Sequence, residues 1–493
     1  MFKDYNTNQL ILPLDLEVKL QKNDIAFSIH QLVEIIPEIA FDSFFRQTVC
    51  PAYHPRMMWL AQGYEPSYRT INRFRVHPEM KELIRQCFIQ FRCQLVQEKI
   101  IDQEAIFIDG TKIEANANKF TFVWKKSAEK YHTSLVEKSN QLYNELLEKQ
   151  IIPEMTREND EQLSLEELAQ LAEKIEEVVE DYTEKMEKSS NANERKQWRK
   201  ERKTPKQLLK QVKEWIVRKH KYQKDFDIFG TRNSYSKTDQ DATFMRMKED
   251  YMKNGQLKPG YNLQVASEGQ YTLAYGIFSN PTDTKTLIPF LDQIQEQYFS
   301  LPEYIVADAG YGSEQNYGDI LTKRQCTPLI TYGHYMKEQK KKYKTDPFKT
   351  SNWLYNQIID TYTCPNQQAV TYKYTSTRTD STGFKRTFKI YECEDCTNCP
   401  FQLSCTKGKE GTNRQLRINE KWEQQKEHIR AKLSEEKAGS IYRQRKVVVE
   451  PIFGFLKASL GFTRFSVRGK SKVENDIGLA LMAVNLRKYA VRM

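Results

Sequence analysis

The 493-residue sequence has no uninterrupted apolar stretch of about 18 residues, so no membrane-spanning helix is expected. No basic n-region leading into an apolar h-region opens it, which makes a soluble cytosolic protein the default expectation. A nucleophile elbow and a His-Glu-x-x-His pair are both missing, which argues against serine-hydrolase and zincin chemistry. Arg468-Gly469-Lys470-Ser471 ends like a phosphate-binding loop, yet the glycine required five residues earlier is Arg464, so ATP is not expected as a cofactor. Cysteine is sparse, at nine residues, and without a secretion signal disulfides are not expected to hold the fold.

What is present is a long, mildly basic chain. Its length implies two or more domains and a sizeable core. Lys plus Arg exceed Asp plus Glu by 76 to 65, a net charge of +11, which weakly favours a polyanionic partner. The charge is segregated: residues 158–188 carry 12 acids against three Lys, whereas residues 195–224 carry 13 Lys or Arg against two Glu. Leu168, Leu171, Ile175, Val178, Tyr182 and Met186 recur at helical steps in the acidic stretch. Leu208, Val212 and Trp215 continue the pattern in the basic stretch, after a helix start read at Thr204-Pro205. A helical insertion over residues 125–230 is the expectation. Its basic arm either binds DNA or pairs with the acidic arm.

Three carboxylates stand where acids are scarce. Asp109 ends the apolar run Ala105-Ile106-Phe107-Ile108, and Asp308 ends Tyr304-Ile305-Val306-Ala307, so both read as acids at the C-terminal tips of buried strands, where α/β sites sit. Glu450 follows Val447-Val448-Val449 and precedes Pro451, which places it at a helix start, with Lys457 two turns further on. A single such Asp also serves as a turn or helix cap. Several converging carboxylates suit Mg²⁺, a hard cation that takes oxygen ligands, and a pair of such ions clamps the oxygens of a displacement at phosphorus. Between the first two acids, residues 260–266 and 271–277 read as a hairpin, and residues 284–299 as a helix with Leu287, Phe290, Leu291 and Ile294 on one face.

The strings Ile108-Asp109-Gly110-Thr111-Lys112-Ile113-Glu114-Ala115-Asn116, Val306-Ala307-Asp308-Ala309-Gly310-Tyr311-Gly312 and Val449-Glu450-Pro451-Ile452-Phe453-Gly454-Phe455-Leu456-Lys457 resemble the three catalytic blocks of DDE transposases of bacterial insertion sequences. Within the IS4/IS5-like set the chain is most similar to the IS1182 type, from about residue 30 to the end. The resemblance implies an α/β chain with an RNase H-like catalytic core over residues 101–493. A helical N-terminal DNA-binding domain would occupy residues 1–100, and the core would be interrupted by the helical insertion 125–230 and a Cys-rich insertion 335–435. It implies Asp109, Asp308 and Glu450 as ligands of Mg²⁺ or Mn²⁺, and Lys457 as a DNA contact. Relatives carry an Arg four residues before the Glu, and here that slot holds Lys446, with Arg445 beside it. The implied activity is cleavage at an element's ends and strand transfer into target DNA. Its partner would be double-stranded DNA, both terminal inverted repeats and target, bound by a homodimer near the nucleoid and away from membranes. A structure-selective nuclease and a non-catalytic DNA-binding repressor are the alternatives on the same fold.

Cys364, Cys393, Cys396, Cys399 and Cys405 form a dense cluster whose readings are a structural Zn²⁺ site, an Fe–S site or free thiols, with Zn²⁺ preferred. In the same insertion Lys337, Lys340, Lys341, Lys342 and Lys344 interleave with Tyr335, Tyr343 and Phe348, as a DNA-end contact or a surface loop. Residues 67–75 read as a capped basic helix, and the resemblance implies that this region belongs to the family's helical end-recognising domain, with Arg69 and Arg73 as DNA contacts. Only Arg56, Met57 and Met58 separate Tyr53-His54-Pro55 from Trp59-Leu60-Ala61-Gln62-Gly63-Tyr64, where relatives have a longer helical segment, and we read this spacing as an internal deletion.

Overall fold

The computed structural model describes residues 68–492 except 156, 158, 160, 248–254, 381 and 409–411, together with residues 29, 32 and 34–36. The motifs at residues 53–55 and 59–64, and the Ser67 cap, lie outside the described residues. Residues 1–113 and 262–493 form one unit, and residues 114–261 form another.

In chain order the first elements are helices α1 (Tyr68–Arg75) and α2 (Met80–Gln97) and strands β1 (Ala105–Glu114) and β2 (Phe122–Trp124). Helices α3 (Lys125–Glu148), α4 (Leu165–Lys188) and α5 (Ala192–Phe229) follow, then strands β3 (Ser234–Ser236), β4 (Thr243–Arg246), β5 (Leu257–Glu268) and β6 (Tyr271–Phe278). Next come α6 (Leu287–Gln297), β7 (Tyr304–Ala307), the short α7 (Glu314–Gly318) and β8 (Thr327–Ile330). Strands β9 (Leu354–Asn356), β10 (Thr361–Thr363), β11 (Ala369–Thr379), β12 (Lys385–Cys393) and β13 (Gln415–Ile418) precede α8 (Glu420–Ser434), α9 (Glu436–Arg443), α10 (Arg445–Gly454) and α11 (Lys470–Arg492).

The first unit is built on a sheet in the order β6-β5-β1-β7-β8. Strands β1, β7 and β8 run parallel, with Ala105 opposite Tyr304 and Tyr304 opposite Thr327, while β5 and β6 pair antiparallel as the expected hairpin. All of β7 is buried, as expected of a parallel strand covered on both faces. On one face α6 lays Leu287, Phe290, Leu291 and Ile294, spaced for a single helical stripe, onto Ile106, Ile108, Ile305 and Ala307. Aromatic contacts tie α2 to β6 and α11: Phe88 packs on Tyr275, and Phe91 packs on both Tyr271 and Tyr489. Strand β6 would leave backbone groups open along its outer edge, and Asn485 of α11 closes one pair. Its amide accepts from Thr272 N and donates to Thr272 O, both at 2.8 Å. A separate antiparallel sheet, β13-β12-β11-β10-β9, carries the Cys-rich segment.

The second unit is mostly helical. Leu168, Leu171 and Ile175 of α4 pack with Val212 and Trp215 of α5 and with Leu135, Tyr143 and Leu146 of α3. Ser164 and Glu167 cap α4 reciprocally, each side chain bonding the other residue's N–H. The acidic and basic arms therefore meet through an apolar seam, and Lys213–Glu176, at 2.8 Å, is an ion pair that crosses it.

Three sequence expectations about local structure need correction. The helix expected to start at Thr204-Pro205 runs unbroken from Ala192 to Phe229 with Pro205 inside it. The carbonyl that loses its partner there belongs to Glu201, an exposed residue where water can replace the missing N–H. Asp109 lies within β1, not at its tip, because the polar residues after it continue the strand to Glu114. Glu450 lies inside α10, which starts at Arg445, so Pro451 is an interior proline.

That last case has a specific compensation. An interior proline cannot donate to the carbonyl four residues back, here Val447 O. Gln270 Nε2 donates to that oxygen instead, at 2.9 Å. Gln270→Ala is expected to lower stability by about 1 kcal/mol, seen as a lower urea midpoint at unchanged slope.

Candidate active site

The parallel register of β1 and β7 sets the site. Phe107 lies opposite Val306, so extending the alignment by two residues on each chain brings Asp109 level with Asp308. Adjacent strands are about 4.8 Å apart, which makes these two acids neighbours although 198 residues separate them in the sequence. Asp109 Oδ1 accepts from Gly110 N at 2.8 Å, and Asp308 Oδ1 accepts from Gly310 N at 2.7 Å. Both carboxylates are thus oriented by the backbone that follows them.

Beneath them lies a polar network. Tyr311 is fully buried, and its hydroxyl donates to Gln264 Oε1 at 2.5 Å. Burial first, then the carboxylates of Asp283, Asp109 and Asp308, raise the Tyr311 phenol well above its ordinary range, so it stays a neutral donor. Gly110 completes the arrangement by its lack of a side chain. A Cβ there would lie 2.4 Å from the Gln264 amide nitrogen and 3.0 Å from the Tyr311 oxygen.

Helix α10 reaches the same centre through Arg445, whose Nη1 lies 3.7 Å from Asp109 Oδ2. Lys457 follows α10 in a wider turn, Phe455–Ser459, and its Nζ donates to Lys112 O of β1 at 3.4 Å. Glu450 is exposed, as is Lys446, while Val448, Val449, Ile452 and Phe453 of α10 are buried. Arg69 and Arg73 are exposed on α1, a helix with no buried residue.

The structure thus brings Asp109, Asp308, Tyr311 and Arg445 together and adds Asp283, which the sequence reading had passed over. Asp283 sits in a short turn, Asp283–Lys285, just before α6. Among the described residues, no group of three or more His, Cys, Asp or Glu side chains is placed to hold a metal ion. The donor chemistry at Asp109 and Asp308 suits a hard cation, but their placement supplies one carboxylate within β1 and one just past β7, and no closed shell.

The thiols gather elsewhere. Cys364, Cys393, Cys396, Cys399 and Cys405 line one pocket in the β9–β13 region, and all five are free. Gln368 N donates to Cys364 Sγ at 3.3 Å and Arg414 N to Cys396 Sγ at 3.4 Å. Burial, then hydrogen bonding to Cys396, pushes the Cys393 thiol up to about 12.

Residues 363–490 match a family model described as a transposase DDE domain. The matched span holds Glu450, Arg445, Lys446, Lys457 and the clustered thiols, and it leaves out Asp109 and Asp308. No curated protein and no solved structure matches the chain. No helix among the described residues is long and apolar enough to cross a membrane.

Gly110→Ala tests the packing under the acids. Forcing a methyl group against Gln264 and Tyr311 is expected to cost about 1–3 kcal/mol, measured by chemical denaturation.

Proposed function

We propose that this chain is a DDE-type DNA transposase, of the IS1182 type, that cuts at the ends of an insertion sequence and joins them to target DNA. The observation that carries the reading is the juxtaposition of Asp109 and Asp308 by strand register, each oriented by the N–H of a following glycine. The transposase DDE-domain match over the region of Glu450 supports it independently. Strand order and direction, with the hairpin strand β5 beside β1 and two parallel strands on the other side, suit an RNase H-like core.

In this reading Asp109 and Asp308 would hold Mg²⁺ or Mn²⁺ with Glu450 as the third acid, and such ions would supply charge neutralisation at the scissile phosphodiester. The chain's own groups do the rest. Arg445 orients Asp109, and the neutral Tyr311 phenol fixes Gln264 beneath both acids. Lys457, Lys446, Arg69 and Arg73 supply positive charge for DNA phosphates. Water or a DNA 3′-hydroxyl is the nucleophile, and exchange of one phosphodiester for another needs no nucleotide cofactor. Two ends must be held together, so the active species is at least a homodimer on DNA.

The test is cleavage of the gene's own flanking DNA with Mg²⁺. Asp308→Ala and Asp109→Asn are expected to lower the cutting rate by about 10²–10³-fold or more, with affinity in gel shifts unchanged. Equal cutting by wild type and variants would remove both acids from the chemistry. Cutting without joining would mark a nuclease, and specific binding without cutting would mark a repressor.

The thiol cluster is the second part of the proposal: Cys364 with three of Cys393, Cys396, Cys399 and Cys405 would supply the four ligands of a structural Zn²⁺, which would draw together thiols that share a pocket but are not themselves set in metal-binding geometry. Its support is the gathering of the thiols at one pocket of a small sheet with little apolar core. Elemental analysis of purified protein is expected to find zinc at one ion per chain, lost together with thermal stability in Cys393→Ser. Metal-free protein with the same melting temperature would refute the site.

A further inference from the structure

The buried amides of β5 pose a question that the acids alone do not answer. Asn262 and Gln264 alternate with Tyr261, Leu263 and Val265, so they share one face of the strand. Both are buried, at 1% and 0% exposure, and a carboxamide in such a place is costly unless its donors and acceptors are met. Gln264 Nε2 donates to Asn262 Oδ1 at 3.0 Å and to Asp283 Oδ1 at 3.2 Å, while its Oε1 receives the Tyr311 hydroxyl. Asn262 Nδ2 donates to the same Asp283 oxygen at 2.7 Å and to Asn280 O at 3.2 Å. Asp283 Oδ1 is therefore where both amide donors end.

The same turn also holds the Asp308 loop. Thr284 Oγ1 donates to Gly310 O at 2.7 Å, and Gly310 N donates to Asp308 Oδ1. Asn316 Nδ2 joins the two, donating to Thr284 O at 2.9 Å and to Tyr311 O at 2.7 Å. The Asp283-Thr284 pair thus grips the Asp308–Tyr311 segment from two sides, through the amides to the Tyr311 hydroxyl and directly at Gly310.

We propose that Asp283 is a positioning residue of the active site, anchoring the Asn262–Gln264 amides that fix Tyr311 beneath Asp109 and Asp308. The inference rests on the reading of those two acids as the reacting centre. It gives Asp283 no contact with DNA and no direct part in the chemistry. Its role is to accept hydrogen bonds, which an Asn can also do.

The experiment compares Asp283→Ala with Asp283→Asn in the full chain. Asp283→Ala is expected to lower the turnover of end cleavage by about 10²-fold with half-saturating DNA concentration unchanged, as misplaced reacting groups do. Asp283→Asn, which keeps an oxygen for the two amides, is expected to restore most of that loss. Wild-type turnover in Asp283→Ala would overturn the proposal, and so would an Asn variant as impaired as the Ala variant, because the charge would then be what matters. Asp283→Ser replaces Ala if that variant does not fold.

A second readout separates this inference from the transposase reading. Hydrogen exchange at the Gly310 amide is expected to accelerate in Asp283→Ala and to stay at the wild-type rate in Asp283→Asn. If wild-type protein cuts no DNA but the exchange follows that pattern, the cleavage reading falls and the positioning role stands. Unchanged exchange in Asp283→Ala would overturn the positioning role whatever the activity.

Discussion

The proposed active site depends throughout on the parallel pairing of β1 with β7. Three paired positions, from Ala105 opposite Tyr304 to Phe107 opposite Val306, decide which side chains stand level beyond them. Strand side chains alternate faces, so a slip of one residue would send one acid to the opposite face of the sheet. The pairing is secured by the core beneath it, where Ile106, Ile108, Ile305 and Ala307 pack under α6. Polar groups then exploit that fixed frame: Gly110 leaves room for Gln264, and Gln264 takes the Tyr311 hydroxyl.

Much of this was legible in the sequence because burial leaves a strong mark. An Asp closing four apolar residues stands out, and the hairpin and the α6 stripe follow from period-two and period-3.6 patterns. Element boundaries were less legible. Prolines at 205 and 451 read as helix starts, yet both lie inside helices, since the carbonyl orphaned at one belongs to an exposed residue open to water and at the other accepts from Gln270. A local pattern cannot reveal a donor supplied from a residue 177 positions away.

Asp283 was hidden for a different reason. It follows Ser279-Asn280-Pro281-Thr282, and an Asp in such a stretch reads as ordinary turn chemistry. The available signal lay in β5 instead, where Asn262 and Gln264 interrupt an otherwise apolar strand and demand buried partners. The charged insertion shows the converse. Its segregated acids and bases left open whether the basic arm binds DNA or pairs with the acidic arm, and α4 and α5 do meet, through the apolar stripe of Leu168, Leu171, Ile175, Val212 and Trp215. Arg195, Lys196, Arg199, Lys200 and Lys203 remain exposed along α5.

The placement of a helical unit between β1 and β5 also sets an order of events during synthesis. Asp109 leaves the ribosome long before Asp308, and at about 5–20 residues per second the interval is roughly ten to forty seconds. Throughout that time the first strand lacks its parallel neighbour, while the helical unit can bury its own core from local contacts. The nascent chain can therefore fold its charged helical unit before the two acids can be brought level, and the centre they form is completed late in translation.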